Sequence, residues 1–503
     1  MTKPMEQKLT ALKAKLAEIA DLHATGALLG WDQETYMPDG GAAERAEQLA
    51  TVYKIAHEKF TADEIGVLLD DLRPLAEQLD YDSDDAALLR VTRRDYEKAR
   101  KLPTELVVEL SRATSHGVEA WKKARAANDF PHFQPFLEKI VDLTIQKGET
   151  LGYEENIYDA LLDDYEPDMR VSQINPIFRQ VKEATVPLVE KVAAQPPIDD
   201  SFLHRYFDPQ KQWDFGLAVV KDYGYDFNRG RQDKSAHPFT TSFGVGDVRI
   251  TTRILDDYLP SALFSSLHEA GHGLYEQGIA PSLARTPLRD GTSLGVHESQ
   301  SRMWENVVGR SLGFWQHYYP QLQKTFPEQL GNIALETFYR AINKVTPSLI
   351  RVEADEVTYN LHIFIRFELE QDLLAGKLKV ADLPEAWNEK YRAYLGITPD
   401  SDANGVMQDI HWSSGLIGYF PTYSLGNILS VQFFNKMVTD NPDIPAEIAA
   451  GKFDTVLGWL RENIHRHGRK FTPTELIERV TGGGIDAQPY INYITEKYTA
   501  IYG

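Results

Sequence analysis

Apolar residues spaced for a helix are the strongest constraint on what this chain can become. Leu9, Leu12, Leu16 and Ile19 recur at three- and four-residue intervals, and Val107, Val108, Leu110 and Val118 follow Pro103, a favourable first-turn residue. Such stripes bury one face of a helix, so residues 5–165 read as successive helical hairpins. The pattern resumes over 172–194 and ends where Pro196-Pro197 and the neighbouring acids mark a loop. No repeat, low-complexity tract or flexible linker divides the chain. The expectation is one large, mainly α domain spanning 1–503.

Departures from this periodicity are few. Gly30-Trp31-Asp32-Gln33-Glu34-Thr35-Tyr36-Met37-Pro38-Asp39-Gly40-Gly41 is aromatic, acidic and rich in turn formers, and is expected to be a packed loop at a helix junction, structural rather than groove-lining for Trp31 and Tyr36. His237-Pro238-Phe239-Thr240-Thr241-Ser242-Phe243 and Val248-Arg249-Ile250-Thr251-Thr252-Arg253 are β-branched and aromatic runs joined by Gly244-Val245-Gly246-Asp247, which predicts a hairpin. Ser348-Leu349-Ile350-Arg351-Val352 reads as a short strand before a helix over 356–374. A Gly-, polar- and aromatic-rich stretch over 405–423 has the make-up of an active-site loop.

Just after the hairpin, Pro260 and Ser261 open a helix expected over 260–278. It carries His268-Glu269-Ala270-Gly271-His272. A separation of four places both imidazoles on one helical face, where they can converge on one ion about 2.0–2.1 Å from each nitrogen. Glu269 lies about 100° round the helix, within reach of a water at such an ion but not placed as a third ligand, so it is the candidate general base. A catalytic site needs that third ligand and an open position. Glu298, on a second helix expected over 294–314, is the best candidate. Glu305 and Asp290 are its rivals.

Composition narrows the chemistry. With no cysteine there can be no disulfide, thiolate ligand or cysteine nucleophile, which leaves His and carboxylate to hold a metal. A net charge of −21 and a pI near 5.1 argue against nucleic acid or an anionic membrane as partner. The first residues lack a signal-peptide core and no run is long enough to span a bilayer, so the expected location is cytoplasmic.

Six segments, taken together, resemble the carboxypeptidase Taq family, peptidase family M32: His237-Pro238-Phe239; Asp247-Val248-Arg249-Ile250-Thr251; His268 through His272; His297-Glu298-Ser299-Gln300; Ile350-Arg351-Val352-Glu353-Ala354-Asp355; and Gly405-Val406-Met407-Gln408-Asp409-Ile410-His411-Trp412. The resemblance implies a helical body split by a deep groove, similar to neurolysin and angiotensin-converting enzyme, with a small β-hairpin beside the active site. It also implies a homodimer acting on peptides with a free C-terminus, with broad specificity and poor action on proline. By this likeness His268, His272 and Glu298 hold Zn2+, or Co2+ or another divalent metal, and Glu269 is the catalytic base.

Similarity to neighbouring families suggests Tyr423 as oxyanion donor, then His411, with Tyr419 as a competitor. Arg351 and Arg249 become candidates for the terminal carboxylate, since a guanidinium pairs with carboxylate through two hydrogen bonds. His237 is a further substrate contact, and Gln408 or Asp409 could orient a ligating histidine or His411. Two rivals share the residues but not the activity: a zinc oligopeptidase cutting inside short peptides, and a non-catalytic protein in which zinc braces the fold.

Overall fold

The computed structural model describes residues 3–503. It is mainly helical, and most of its buried apolar side chains, from Leu9 to Ile501, form one contiguous cluster. The helices used below are α1 (Lys3–Thr35), α2 (Ala42–Phe60), α3 (Thr104–Ala127), α4 (Phe130–Leu151), α5 (Ile157–Leu162), α6 (Val171–Ala193), α7 (Pro209–Asp222), α8 (Leu259–Gly278), α9 (Leu294–Arg302), α10 (Tyr359–Leu374), α11 (Leu383–Leu395), α12 (Pro421–Asp440) and α13 (Gln488–Tyr502). The expected hairpins are present, with α1 against α2 and α3 against α4. Among the described residues no helix is long and apolar enough to cross a membrane.

The Gly30–Gly41 interruption is not a loop throughout. α1 runs on to Thr35, with Trp31 buried and the Thr35 hydroxyl donating back to the Trp31 carbonyl at 2.7 Å. Gly30 serves no turn there: a Cβ would meet nothing within 4 Å. The turn begins only at Tyr36, ahead of Pro38.

The hairpin forms from β2 (Thr240–Gly244) and β3 (Asp247–Thr252), paired antiparallel with Thr240 opposite Ile250. His237 to Phe239 fall outside it. A third strand, β1 (Gly230–Lys234), pairs parallel to β3 and gives the order β1-β3-β2. Sequence alternation does not announce β1, whose Gly-Arg-Gln-Asp-Lys carries no apolar side chain. It is held by the β3 ladder and by buried Asp233, which accepts from Arg231 and from the Tyr36 hydroxyl.

The sheet lies against α8, which α7 and α9 also flank. α8 is therefore buried on several faces, by Leu263, Phe264, Leu267, Ala270 and Leu274 among others. The helix expected over 294–314 is broken. α9 ends at Arg302, a wider π turn covers Met303–Val308, and a new helix starts at Leu312 after a Ser311 cap. The strand expected over 348–352 is absent as well: Arg351–Glu353 is a 3-10 turn, and the Arg351 N–H donates to the Gln408 side chain at 2.9 Å rather than to a neighbouring strand. The segment is a loop that buries Arg351 and leaves Val352 68% exposed, not a sheet.

Candidate metal centre

Three helices assemble the site. α8 supplies His268, Glu269 and His272; α9 supplies Glu298; the first turn of α12 supplies Tyr423. Close packing of these helices depends on glycine. A Cβ on Gly271 would stand 2.6 Å from the Ser301 Cα and 2.7 Å from the Gln300 carbonyl oxygen, and one on Gly426 would stand 2.4 Å from the Glu298 Cγ. The start of α9 is pinned independently: Ser293 caps Val296, Leu294 N–H donates to the Tyr165 carbonyl at 3.0 Å, and Gly295 N–H donates to the buried Glu166 carboxyl.

The result is a compact donor set. One ligand atom from each of His268, His272 and Glu298 lies within 4.8 Å of the others. The Glu298 Oε2 is 3.5 Å from His268 Nε2 and 3.3 Å from His272 Nε2. Two imidazole nitrogens and one carboxylate oxygen facing a common point are the ligands a divalent cation such as zinc accepts, so the residues fit a metal ion.

Their outward-facing atoms are held as ligand histidines require. His268 Nδ1 is 2.9 Å from Glu305 Oε2, which gives Glu305 a supporting place rather than a ligand's. His272 Nδ1 is 2.6 Å from His297 Nδ1, and His297 Nε2 is 2.9 Å from Glu276 Oε1. One proton arrangement satisfies this chain: His272 Nδ1–H donates to His297, whose Nε2–H donates to Glu276, which leaves the His272 Nε2 lone pair facing inward. Asp290, the other rival ligand, has an exposed side chain 3.8 Å from Arg289 and stands outside the set.

Charge is tightly balanced. Burial opposes ionisation of Glu298, but Arg302, His268 and His272 outweigh it and hold its carboxyl well below the usual range. Arg302 Nε donates to Glu298 Oε1 at 2.6 Å and Ser301 Oγ to Oε2 at 2.9 Å. Burial also disfavours a charged His268, yet Glu298 and Glu305 prevail and raise it to about 9; His272, where burial dominates, is held at about 4. The two carboxylates that attract a proton to His268 attract a cation equally.

Glu269 is buried. Its Oε2 accepts from the Thr240 hydroxyl at 2.7 Å, and burial raises its pKa. Thr240, which sequence reasoning missed, is the contact through which β2 reaches Glu269. Nothing in the isolated string Thr240-Thr241 distinguishes it.

The other expected residues fall into two groups. Around the 405–423 segment, His411 Nε2 is 3.3 Å from the Tyr423 hydroxyl, and Tyr419 packs against both rings. Arg351 is buried there: Nε and Nη2 donate to Asp409 Oδ1 at 3.0 and 2.9 Å, and Nη1 to the Tyr359 hydroxyl at 2.9 Å. Asp409 is thus chiefly the partner of Arg351 and Arg366 and is 4.0 Å from His411 Nδ1, while Gln408 bonds Arg351 N–H and the Leu349 carbonyl; neither orients a ligating histidine. Near the sheet, Arg249 pairs with Asp247 at 2.9 Å through two nitrogens and lies 4.3 Å over the Trp31 ring and 4.8 Å over Phe243, so Trp31 packs against an expected site residue. The His237 side chain is exposed.

Comparison with known proteins agrees with this geometry. The carboxypeptidase Taq (M32) metallopeptidase family matches residues 11–498. The chain is 45% identical to thermostable carboxypeptidase 1 of Thermus thermophilus over 97% of each chain, and 39% identical to carboxypeptidase 1 of Bacillus subtilis over 97% of each. Its fold matches the crystal structure of an M32 carboxypeptidase from Deinococcus radiodurans R1 with a TM-score of 0.96 and 44% identity, over 99% of this chain and 100% of that one. A whole-length family match, relatives of this similarity and an intact two-histidine, one-glutamate donor set lead to one conclusion: the chain belongs to the carboxypeptidase Taq (M32) family and is a metallocarboxypeptidase.

Proposed function

We propose that this protein removes C-terminal residues from peptides one at a time, with broad preference and poor action at proline, as a single catalytic domain. The observation that carries the reading is the convergence of His268, His272 and Glu298 beside the buried carboxyl of Glu269. A divalent cation there, zinc in our reading, supplies Lewis acidity and lowers the pKa of a water toward neutrality.

This chain's own residues do the rest. Glu269 takes the water's proton and returns it to the leaving amine; burial, which raises its pKa, suits it to hold that proton in between. Thr240 holds one carboxylate oxygen and leaves the other free for the exchange. Tyr423 donates to the oxyanion: burial lifts its pKa well above the ordinary phenol value, so it stays a donor. His411, held at about 4 by burial against the pull of Asp409, is neutral and orients the Tyr423 hydroxyl or donates in its place. Tyr419 is the remaining candidate donor.

For the terminal carboxylate we assign Arg351. Five guanidinium N–H groups are available and three contact atoms engage Asp409 and Tyr359, so two N–H remain for a substrate beside Tyr423. Arg249 and His237 contact the chain further along. A homodimer and a cytoplasmic location complete the reading; the cysteine-free composition suits a reducing compartment.

Matched peptides with free and amidated C-termini test it. The free acid is expected to be processed from its end and the amide left largely intact. Equal cleavage of both would replace this reading with that of an oligopeptidase.

A further inference from the structure

The loop that presents His411 is gripped from behind by two buried charged residues that no motif contains. Arg366 and Glu370 stand one helical turn apart on α10, and both are fully buried. Arg366 Nε donates to Asp409 Oδ2 at 2.7 Å, and its guanidinium lies 4.4 Å over the Trp387 ring, on α11. Glu370 takes the other side: Oε1 accepts from the Trp412 indole N–H at 2.8 Å, and Oε2 accepts from the Tyr158 hydroxyl at 2.6 Å and the Gly418 N–H at 3.2 Å. One residue therefore secures position 409 and the other positions 412 and 418, with His411 between them.

Resting on the function proposed above, we propose that Glu370, with Arg366, is a positioning residue for His411, holding the imidazole where it meets the Tyr423 hydroxyl. Three considerations support this. First, the His411 ring makes few polar contacts of its own: Nε2 meets Tyr423 at 3.3 Å, and buried Nδ1 has no hydrogen-bond partner. Its place is set by the backbone on either side. Second, that backbone cannot drift toward α5, because Gly418, at φ 95°, packs so closely that a Cβ would stand 3.0 Å from the Leu161 carbonyl carbon.

Third, the chemistry of the Glu370 site asks for a carboxylate. All three partners are donors, so a side-chain amide of the same size would turn its own N–H groups toward at least one of them. Burying a charge without a hydrogen-bonded cation is costly, and burial pushes this carboxyl up to about 7 despite its donors and the nearby Arg366. An apolar residue would fill the same volume without that cost. What it could not do is fix Trp412, Gly418 and Tyr158 to one point.

The test is a double-mutant cycle with a free-acid peptide, following kcat, KM, metal content and Tm. E370Q is expected to lower kcat about 10- to 100-fold, the scale of a misplacement of about 1 Å, with KM and metal content within about twofold of wild type. Trp412→Phe, which removes one donor and leaves Glu370 in place, should lower kcat in the same sense by less. In a His411→Ala background, E370Q should cost less than about twofold, because the group it positions is gone.

Equal losses in both backgrounds, or an unchanged kcat in E370Q, would overturn the assignment. Should E370Q fail to fold, Trp412→Phe decides the matter by the same comparison. If His411→Ala alone retains wild-type kcat, the role given to His411 fails, and this inference with it. If His411→Ala is impaired and E370Q is not, only the positioning role fails.

Discussion

Gly271→Ala is a one-atom test of how the donor set is built. The added Cβ would meet only backbone of α9: Ser301 Cα at 2.6 Å, Gln300 O at 2.7 Å and Gln300 C at 2.9 Å. That is about 1 Å short of an ordinary carbon–carbon contact, and no side chain can rotate away to relieve it. α9 must therefore move by about 1 Å, carrying Glu298, which lies one turn before Ser301–Arg302. Replacing a mid-helix glycine by alanine should stabilise α8 by about 1 kcal/mol, whereas overpacking costs about 1–3 kcal/mol, so net destabilisation of up to about 2 kcal/mol is expected. Displacing one of three ligands should weaken metal binding more than that. We expect at least about a 30-fold rise in Kd, measured by competition with a chelator, together with a lower Tm of the metal-free protein. Unchanged metal affinity with raised Tm would show that the α8–α9 contact does not set the ligand geometry.

Two further perturbations address the surroundings of the site. Glu305→Gln removes the charge behind His268 Nδ1 and beside Arg302 and Arg310, so metal affinity should fall about 10- to 100-fold and the Tm of the metal-free protein should fall as well; an unaltered affinity would refute its supporting role. Burial raises the Glu166 carboxyl from the ordinary 4.5 to about 8. The folded state thus favours the protonated form: this stabilising preference is complete below about 4.5 and is lost as pH rises through about 8. Wild-type stability should therefore decline across that window, and Glu166→Gln should flatten the decline in a Tm-versus-pH series. Parallel curves for the two proteins would mean Glu166 does not titrate as described.

What could be read from the sequence was what lies close along the chain. His268 and His272 are one turn apart, so helical geometry alone makes them converge. The β2–β3 hairpin is likewise local, with a turn that its Gly and Asp residues announce. Glu298 came from a motif at a distance a return helix can span. The contacts that complete the site span longer separations with no local signature. Thr240 reaches Glu269, Glu166 reaches Gly295, Glu370 reaches Trp412, and each is an ordinary polar residue until the fold brings its partner near.

Local pattern misleads where tertiary contacts set the backbone. A helix was expected to run through 303–311, but Gly309 N–H bonds Trp304 O in a π turn, and a Cβ there would strike Leu267 of α8. Ser348-Leu349-Ile350-Arg351-Val352 has the apolar, β-branched make-up of a strand, but Arg351 turns inward as the buried partner of Asp409 and the backbone follows it. β1 has no signature in the sequence because it is held by the β3 ladder and by the distant Tyr36 hydroxyl bonding Asp233, not by an apolar pattern of its own.

The central claim, that His268, His272 and Glu298 hold the metal while Glu269 moves the proton, is tested most directly by metal content measured beside turnover in two variants. Glu269→Gln should retain a full complement of metal and lose nearly all hydrolysis, and Glu298→Ala should lose most of its metal while keeping its helical fold. Metal retained in Glu298→Ala, or lost together with the fold in Glu269→Gln, would contradict the account.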